Sequence, residues 1–201
     1  GIPCNERTPH SHNFLTQDGK TPKEISMLAK HQVEKYGTVK FYNGIASSGR
    51  KSENGFEITT NAGNKFNAKK LIFATGIKDM VPDIRGFAEC WGISIIHCPY
   101  CHGYEYRNQN TAIIANGAKA FHLASLVKNL TDNITILTSE KADFTSAQLD
   151  KLNTHGIKII ETKISEFEHK NGHLRNIVFD DTTKISFDAA YAAVPFVQHS
   201  D

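Results

Sequence analysis

Hydrophobic positions in the first 79 residues indicate a helix followed by strands. Between Thr21 and Gly37 apolar residues keep helical spacing, and the opening Thr-Pro-Lys-Glu combines an N-cap, a proline at the first helical position and a capping-box glutamate. A helix is therefore predicted there. Three strands are predicted after it, at 39–45, 56–60 and 65–74. The last strand ends in a continuously apolar run, 71–74, so we expect that run to be buried on both faces of a sheet.

The second half of the chain alternates strands with helices in the order βαβαβ. Strands are predicted at 111–114, 134–137 and 157–161, and helices at 118–130 and 145–155. Such alternation is typical of an α/β fold with a parallel sheet. Residues 162–194 return to strand patterns with a turn at Asn171-Gly172 and add a β-meander. The predicted fold class is α/β with two domains, and the boundary near residue 79 rests on topology alone.

Composition and charge limit which partners and which cellular compartment we expect. A formal net charge of +2 gives no electrostatic reason to expect nucleic acid or an anionic membrane. No apolar run approaches the ~20 residues of a membrane span and no signal-peptide pattern opens the chain, so we expect a cytoplasmic protein. Four cysteines are too few for a disulfide scaffold, and we interpret Cys4 and Cys90 as ordinary reduced thiols. The chain begins at Gly1 without a methionine, which we interpret as a piece of something longer.

The other two cysteines, Cys98 and Cys101, are spaced C-x-x-C. Two thiols at this spacing can close a disulfide within one turn, and a helix opening there would favour a thiolate on the first cysteine. The flanking His97 and His102 can carry the proton that thiol–disulfide exchange requires near neutral pH. A zinc site and a pair of buried thiols are the alternatives, but zinc normally takes four ligands and no second C-x-x-C occurs. Redox chemistry is favoured.

A second candidate motif is A-N-G-A-K-A at 115–120, between a predicted strand and a predicted helix. A dinucleotide-binding fold has G-x-G-x-x-G/A at this place, where the main chain approaches a pyrophosphate at a helix N-terminus. The first glycine is replaced by Ala115, whereas Gly117 and Ala120 fit the pattern. Glu140 lies 23 residues beyond Gly117, about where the ribose of a nucleotide would arrive. An ordinary strand-to-helix turn and a solvated glutamate are the alternatives.

Several segments, in the right order along the chain, carry a family resemblance. K-L-I-F-A-T-G at 70–76 resembles the "ATG" segment of thioredoxin reductases, and H-N-F at 12–14 resembles their early asparagine. C-P-Y-C-H-G at 98–103, followed by the degenerate glycine turn, looks like their redox segment and pyridine-nucleotide domain. The chain is thus similar to thioredoxin reductase-like, FAD-dependent pyridine nucleotide-disulfide oxidoreductases. Its C-H-G-Y-E ending is closer to the branch with flavin-dependent dithiol oxidases, because standard thioredoxin reductases carry aspartate after the second cysteine.

The resemblance implies roles for individual residues. It implies contacts with FAD at Asn13, Thr75 and Gly76, for which turn formation and a strand exit are the alternatives. A nicotinamide nucleotide would meet Gly117, Ala120 and Glu140. It further implies that Cys101 faces the flavin while Cys98 exchanges with the substrate, and that His102 takes the acid–base role of the family's aspartate.

The resemblance also implies a domain plan, with departures. The expected regions are a partial FAD-binding domain at 1–79, a Rossmann-type pyridine-nucleotide domain with a β-meander and the C-x-x-C at 80–195, and the start of a return to the FAD domain at 196–201. The family's two FAD-gripping ends, a first glycine fingerprint and a late Gly-Asp segment, are expected to lie before Gly1 and after Asp201. The basic motif that holds the 2′-phosphate of NADPH is replaced by T-S-E-K at 138–141.

The expected function is that of an FAD-dependent thiol–disulfide oxidoreductase acting through Cys98 and Cys101. FAD is expected in the intact protein, whereas use of NAD(P)H is not favoured. Expected partners are a thioredoxin-like protein or a small-molecule dithiol, and a second copy in a homodimer, but neither nucleic acid nor membrane. One alternative is a flavin-dependent dithiol oxidase that uses oxygen. Another, from a different class, is a non-catalytic module whose cysteines bind metal.

Overall fold

The computed structural model describes residues 5–200, which form four β-sheets with short helices between their strands. The helices are α1 (Pro22–Glu34), α2 (Phe87–Cys90), α3 (Pro99–His102), α4 (Gly117–Val127) and α5 (Ser146–Thr154). The strands are β1 (Ala46–Ser52), β2 (Gly55–Thr60), β3 (Lys65–Ala68), β4 (Ile77–Asp79), β5 (Ile95–Ile96), β6 (Thr111–Ile114), β7 (Ile134–Leu137), β8 (Lys158–Ile160), β9 (Ile164–Lys170), β10 (His173–Phe179), β11 (Lys184–Ser186), β12 (Ala189–Ala192) and β13 (Phe196–Gln198). A 3-10 turn, Tyr104–Tyr106, follows α3.

A five-stranded parallel sheet, ordered β5-β12-β6-β7-β8, lies at the centre of the second half. Successive side chains of a strand point to opposite faces of the sheet, so each strand contributes side chains to two hydrophobic cores, one on each face. Ala112 and Leu137 belong to the core that contains Phe167 of β9, whereas Ile113 and Ile136 belong to the core that contains the buried face of α4. The predicted βαβαβ unit and α/β class are confirmed.

The predicted β-meander is the antiparallel sheet β11-β10-β9, whose hairpin turns at Asn171-Gly172 as expected. It is anchored to the segment before the C-x-x-C through Ser94. The buried Ser94 hydroxyl donates to the Gly172 carbonyl (2.6 Å) and accepts the Leu174 N–H (2.9 Å). These bonds fix the chain just upstream of the candidate redox motif.

In the first part of the chain, α1 is confirmed and two predicted strands are wrong. The Thr21 hydroxyl accepts the Glu24 N–H and the Glu24 carboxylate accepts the Thr21 N–H, which completes the capping box. The β2–β3 hairpin forms, but its second strand ends at Ala68. Residues 39–45 and 71–74 are irregular, and Ile72 is 87% exposed. Neither stretch belongs to a sheet among residues 5–200, although the Ile45 carbonyl accepts the Asn61 N–H at 2.9 Å. A strand without a neighbour leaves most of its N–H and C=O groups unsatisfied.

Strands β4 and β13 pair where the chain was predicted to pass between its domains. The Trp91 indole N–H donates to the Asp79 carboxylate of β4 at 3.2 Å. From the N-terminal segment, the Arg7 guanidinium donates to the carbonyls of Ala88 (3.2 Å) and Trp91 (3.0 Å). The N-terminal segment is thus held against α2 and the chain that leads to the C-x-x-C. The domain boundaries themselves stay a prediction.

Candidate active site

The two cysteines of the C-x-x-C lie at the start of α3, directly after β5 and His97. Cys98 is the N-cap residue, and Pro99 occupies the first helical position, where its fixed φ suits the helix and its missing N–H forfeits no bond. The N–H groups of Cys101 and His102 both donate to the Cys98 carbonyl at 3.3 Å. This turn brings the Cys101 Sγ to 2.9 Å from the Cys98 Sγ. Two thiols so placed can interconvert with a disulfide.

A cleft of about 370 Å³ opens beside the two thiols. The N-terminal segment forms one wall, and the segment from Trp91 to His102 forms the other. The lining residues are Asn5, Thr8, Ser11, His12, Phe14, Asp79, Trp91, Gly92, Ile96, His97, Cys98, Tyr100, Cys101 and His102. Because both cysteines line this cleft, a ligand that enters it can reach their sulfur atoms. The predicted catalytic residues Cys98, Cys101 and His102 are therefore brought together.

His102 is nearly buried, at 6% exposed, and its ring lies 5.7 Å from the ring of Tyr106. Burial lowers the pKa of His102 below its ordinary value, because the protonated ring loses its hydration. The Glu105 carboxylate works against this effect and raises the same pKa, whereas the nearby His12 lowers it further. A neutral imidazole beside two thiols can accept the proton that a thiol releases.

Glu105 belongs to this site although the sequence reasoning gave it no role. Its two carboxylate oxygens are shielded from solvent and have no hydrogen-bond partner among the described residues. His12 Nε2 lies 3.7 Å from Glu105 Oε1, and His12 Nδ1 lies 3.4 Å from Asp18 Oδ2. The signal that could have found it is its spacing, because residues three apart in a helical turn share a face and Glu105 is three after His102.

The residues expected to contact FAD lie outside the lining of the cleft. Asn13 has φ +61°, and its N–H donates to Asp18 Oδ1 at 2.9 Å. Asn13 therefore also stabilises the loop at 13–18. Its neighbours His12 and Phe14 line the cleft. Thr75 and Gly76 precede β4, whose last residue is the cleft residue Asp79. Gly76 has φ +74° and no heavy atom within 4 Å of its Cβ position, so a ligand can approach its Cα, while its carbonyl accepts the His199 N–H at 3.4 Å.

The nucleotide-type turn is closed by its own side chains. Asn116 caps α4: its Oδ1 accepts the N–H groups of Gly117 (2.8 Å) and Asp143 (3.0 Å). Its amide nitrogen donates to the Lys141 carbonyl (2.9 Å) and to Glu140 Oε1 (3.3 Å). A Cβ added at Gly117 would lie 3.0 Å from the Asp143 carbonyl oxygen, because the loop packs on the helix start.

Two of the predicted nucleotide contacts therefore make structural contacts within the protein. The predicted ribose contact, Glu140, is engaged with Asn116, and the predicted turn residue Ala120 is fully buried in the core under α4. Whether Gly117, Ala120 and Glu140 meet a nucleotide stays a prediction.

The remaining cysteines and the other possible metal ligands add little to the site. Cys90 is fully buried, and burial raises the pKa of its thiol, as in an ordinary core cysteine. Cys4 lies outside the described residues. Within residues 5–200 there is no group of three or more His, Cys, Asp or Glu side chains placed to hold a metal ion. None of the helices in that part of the chain is both long and apolar enough to cross a membrane.

Comparisons with known proteins find relatives along most of the chain. A family model described as pyridine nucleotide-disulphide oxidoreductase matches residues 3–197. Thioredoxin reductase aclD of Aspergillus oryzae is 31% identical over 188 residues, which are 88% of this chain and 60% of that protein. Thioredoxin reductase tcpT of Claviceps purpurea is 34% identical over 143 residues, which are 67% of this chain and 44% of that protein.

A solved structure matches the whole fold. The oxidoreductase from Agrobacterium tumefaciens superposes with a TM-score of 0.89 at 30% identity, and the match covers 100% of this chain and 66% of that one. The chain therefore spans only part of its relatives: 60% of the Aspergillus protein and 44% of the Claviceps protein.

Proposed function

The chain belongs to the pyridine nucleotide-disulphide oxidoreductase family, and we propose that it carries the thiol–disulfide centre of an FAD-dependent oxidoreductase. Electrons would pass between the flavin and a dithiol or disulfide substrate through Cys98 and Cys101. The observation that carries this proposal is the pair of sulfur atoms 2.9 Å apart in the wall of an open cleft. Family membership favours this function over a non-catalytic metal-binding module.

The roles within the site follow from its chemistry. Closing the Cys98–Cys101 disulfide releases two electrons and two protons, and reopening it takes them up. Cys98 is assigned to exchange with the substrate and Cys101 to the flavin, as the family resemblance implies. The neutral imidazole of His102 takes the proton of the attacking thiol and returns it when the disulfide is reduced. Burial of His102 supports this role, because it keeps the ring unprotonated near neutral pH.

The residues of this chain fit part of an FAD site. When bound, FAD supplies the two-electron donor or acceptor that the cysteine pair requires. The exposed main chain at Gly76 and the hydroxyl of Thr75 would hold one stretch of the cofactor, and Asn13, beside the cleft, would hold another. The grip on the pyrophosphate is assigned to regions beyond these residues, because none of the three stands at the start of a helix.

A nicotinamide nucleotide fits less well. At the start of α4 the side chain of Asn116 already accepts the Gly117 N–H, and the Asp143 loop covers the turn. Glu140 would also repel a 2′-phosphate, and a single flexible lysine at 141 is a poor match for that group. These observations favour a second candidate function, a dithiol oxidase in which the electrons of a dithiol pass through the flavin to oxygen.

The partner and assembly belong to the same proposal. The substrate is a thioredoxin-like protein or a small-molecule dithiol, and the names of the curated relatives support a thioredoxin-type partner. We further propose a homodimer located in the cytoplasm. The partial FAD domain at 1–79 and the pyridine-nucleotide-type domain at 80–195 are the units between which the electrons would move.

Mass spectrometry tests the cysteine pair. After mild oxidation of the protein, the peptide that carries Cys98 and Cys101 should lose two hydrogens, and a dithiol should reverse the loss. Peptides with Cys4 and Cys90 should be unchanged. A disulfide to either of these cysteines would contradict the proposal.

Steady-state flavin reduction separates the two directions. NADPH and NADH are each mixed with the intact FAD-loaded protein, and a dithiol is mixed with it under air. Dithiol-driven peroxide formation with slow reduction by both nucleotides favours the oxidase. Rapid, NADPH-selective reduction favours an ordinary reductase and contradicts the poor nucleotide fit.

A further inference from the structure

Glu105 places a carboxylate beside the redox helix in surroundings that do not satisfy it. Both oxygens are shielded from solvent and have no hydrogen-bond partner in the part of the chain that the structure describes. The His12 Nε2 atom, at 3.7 Å from Oε1, is beyond ordinary hydrogen-bond distance. A shielded carboxylate without partners is unfavourable for stability. Its presence therefore points to a functional use of the charge.

The groups around Glu105 show where that charge acts. Four titratable side chains interact with it electrostatically or by contact, one from each packed element: His12 of the N-terminal segment, His102 of α3, Tyr106 of its own turn and Tyr191 of β12.

The tyrosines cannot balance the carboxylate. Burial, together with Glu105, raises the pKa of Tyr106 to about 12, and burial likewise raises the pKa of Tyr191. Both phenols are therefore neutral at physiological pH. The nearby Arg107 guanidinium lies over the Tyr104 ring, 4.1 Å from its centroid.

We propose that Glu105 is the positioning residue of the acid–base histidine, because its shielded negative charge stabilises the protonated imidazole of His102 that forms when Cys101 becomes a thiolate. The S–H bond of Cys101 breaks, its electron pair stays on sulfur, and the proton forms an N–H bond on the ring. A carboxylate behind a catalytic histidine plays the same part in hydrolase triads. This inference rests on the proposed function of Cys98 and Cys101.

The location of His102 explains why such help is needed. Burial lowers the pKa of His102, so a buried ring alone would be a weak proton acceptor. Glu105 raises that pKa, while His12 lowers it. His12 itself lies between two carboxylates, 3.4 Å from Asp18 and 3.7 Å from Glu105. His12 and Glu105 thus act on His102 in opposite directions.

Histidine NMR measures this effect without relying on turnover. The pKa of His102 is followed in the protein with ¹³C-labelled histidine, and His102→Asn assigns its signal. Glu105→Gln should lower the pKa of His102, and His12→Asn should raise it. Glu53→Gln, which makes the same change at an exposed carboxylate, should leave it unchanged. An unaltered His102 pKa in Glu105→Gln would overturn the inference. If that variant does not fold, a pKa in His12→Asn that stays or falls would overturn it.

Kinetics provides the second readout. In Glu105→Gln the rate constant for flavin reduction by a dithiol at neutral pH should fall about tenfold, less than the ~100-fold or more expected on loss of His102 itself. Its pH profile should shift in the same direction as the His102 titration, and Glu105→Asp should restore part of the rate. A slower rate with an unshifted profile would indicate a merely structural residue. If the wild-type protein forms no Cys98–Cys101 disulfide, the proposed function fails, and the NMR titration alone decides the role of Glu105.

Discussion

Replacing Asn116 with alanine should destabilise the protein more than loss of an ordinary helix cap. The change removes an N-cap, typically worth ~1 kcal/mol, together with the bonds to the Asp143 N–H, the Lys141 carbonyl and Glu140. At roughly 0.5–1 kcal/mol for each of the exposed bonds to Asp143 and Lys141, and less for the long contact to Glu140, the free energy of unfolding should fall by about 2–3 kcal/mol. Urea denaturation followed by circular dichroism should show a midpoint lowered by roughly 1 M.

Thr145→Ala is the matched control for this prediction. Thr145 caps α5 through the Gln148 N–H and takes part in a capping box, but its cap bonds stay within its own helix. Its loss should therefore cost only ~1 kcal/mol. Equal losses in Asn116→Ala and Thr145→Ala would refute the view that Asn116 binds the 140–143 loop to the start of α4. Equal losses would also contradict the proposal that Asn116 closes this turn to a nucleotide.

Two further predictions concern the core and the buried histidine. Gly86 (φ +81°) and Gly63 (φ +80°) share a left-handed backbone, but a Cβ at 86 would lie 2.0 Å from the Phe167 carbonyl oxygen, whereas one at 63 meets nothing within 4 Å. In thermal melts Gly63→Ala should cost ~1 kcal/mol and Gly86→Ala several times more, and similar losses would contradict the packing of α2 on β9. Burial lowers the pKa of His102 in the folded protein. Below a pH of about 6.5, the unfolded chain therefore binds a proton at this histidine that the folded chain does not bind. The free energy of unfolding should therefore decrease below that pH. In urea melts at several pH values, this free energy should depend less on pH in His102→Asn than in the wild-type protein. An equal pH dependence in the two proteins would contradict the burial of His102.

What could be predicted from the sequence is what local chemistry determines. The capping box at Thr21 and the turn at Asn171-Gly172 each depend on a few adjacent residues, and both are found. The βαβαβ order was also predictable, because its strands and helices have distinct hydrophobic periods.

The features that were predicted wrongly or missed depend on residues that are distant in the chain. The apolar run 71–74 has strand character, but a strand needs a neighbour, and no described segment supplies one. The roles of Glu105 and Asn116 were missed for a related reason. Their importance comes from groups that folding brings to them, such as the His12 ring near Glu105 and the main chain of the 140–143 loop at Asn116.

Anaerobic mixing of the intact FAD-loaded protein with a dithiol, recorded by flavin absorbance, tests most directly whether electrons pass through the C-x-x-C. The wild-type flavin should bleach, and a Cys90→Ala protein should behave in the same way because that thiol is buried in the core. Cys98→Ser and Cys101→Ser should each leave the flavin oxidised on the same time scale. Bleaching at the wild-type rate in both serine variants would contradict the assignment of Cys98 and Cys101 as the redox pair.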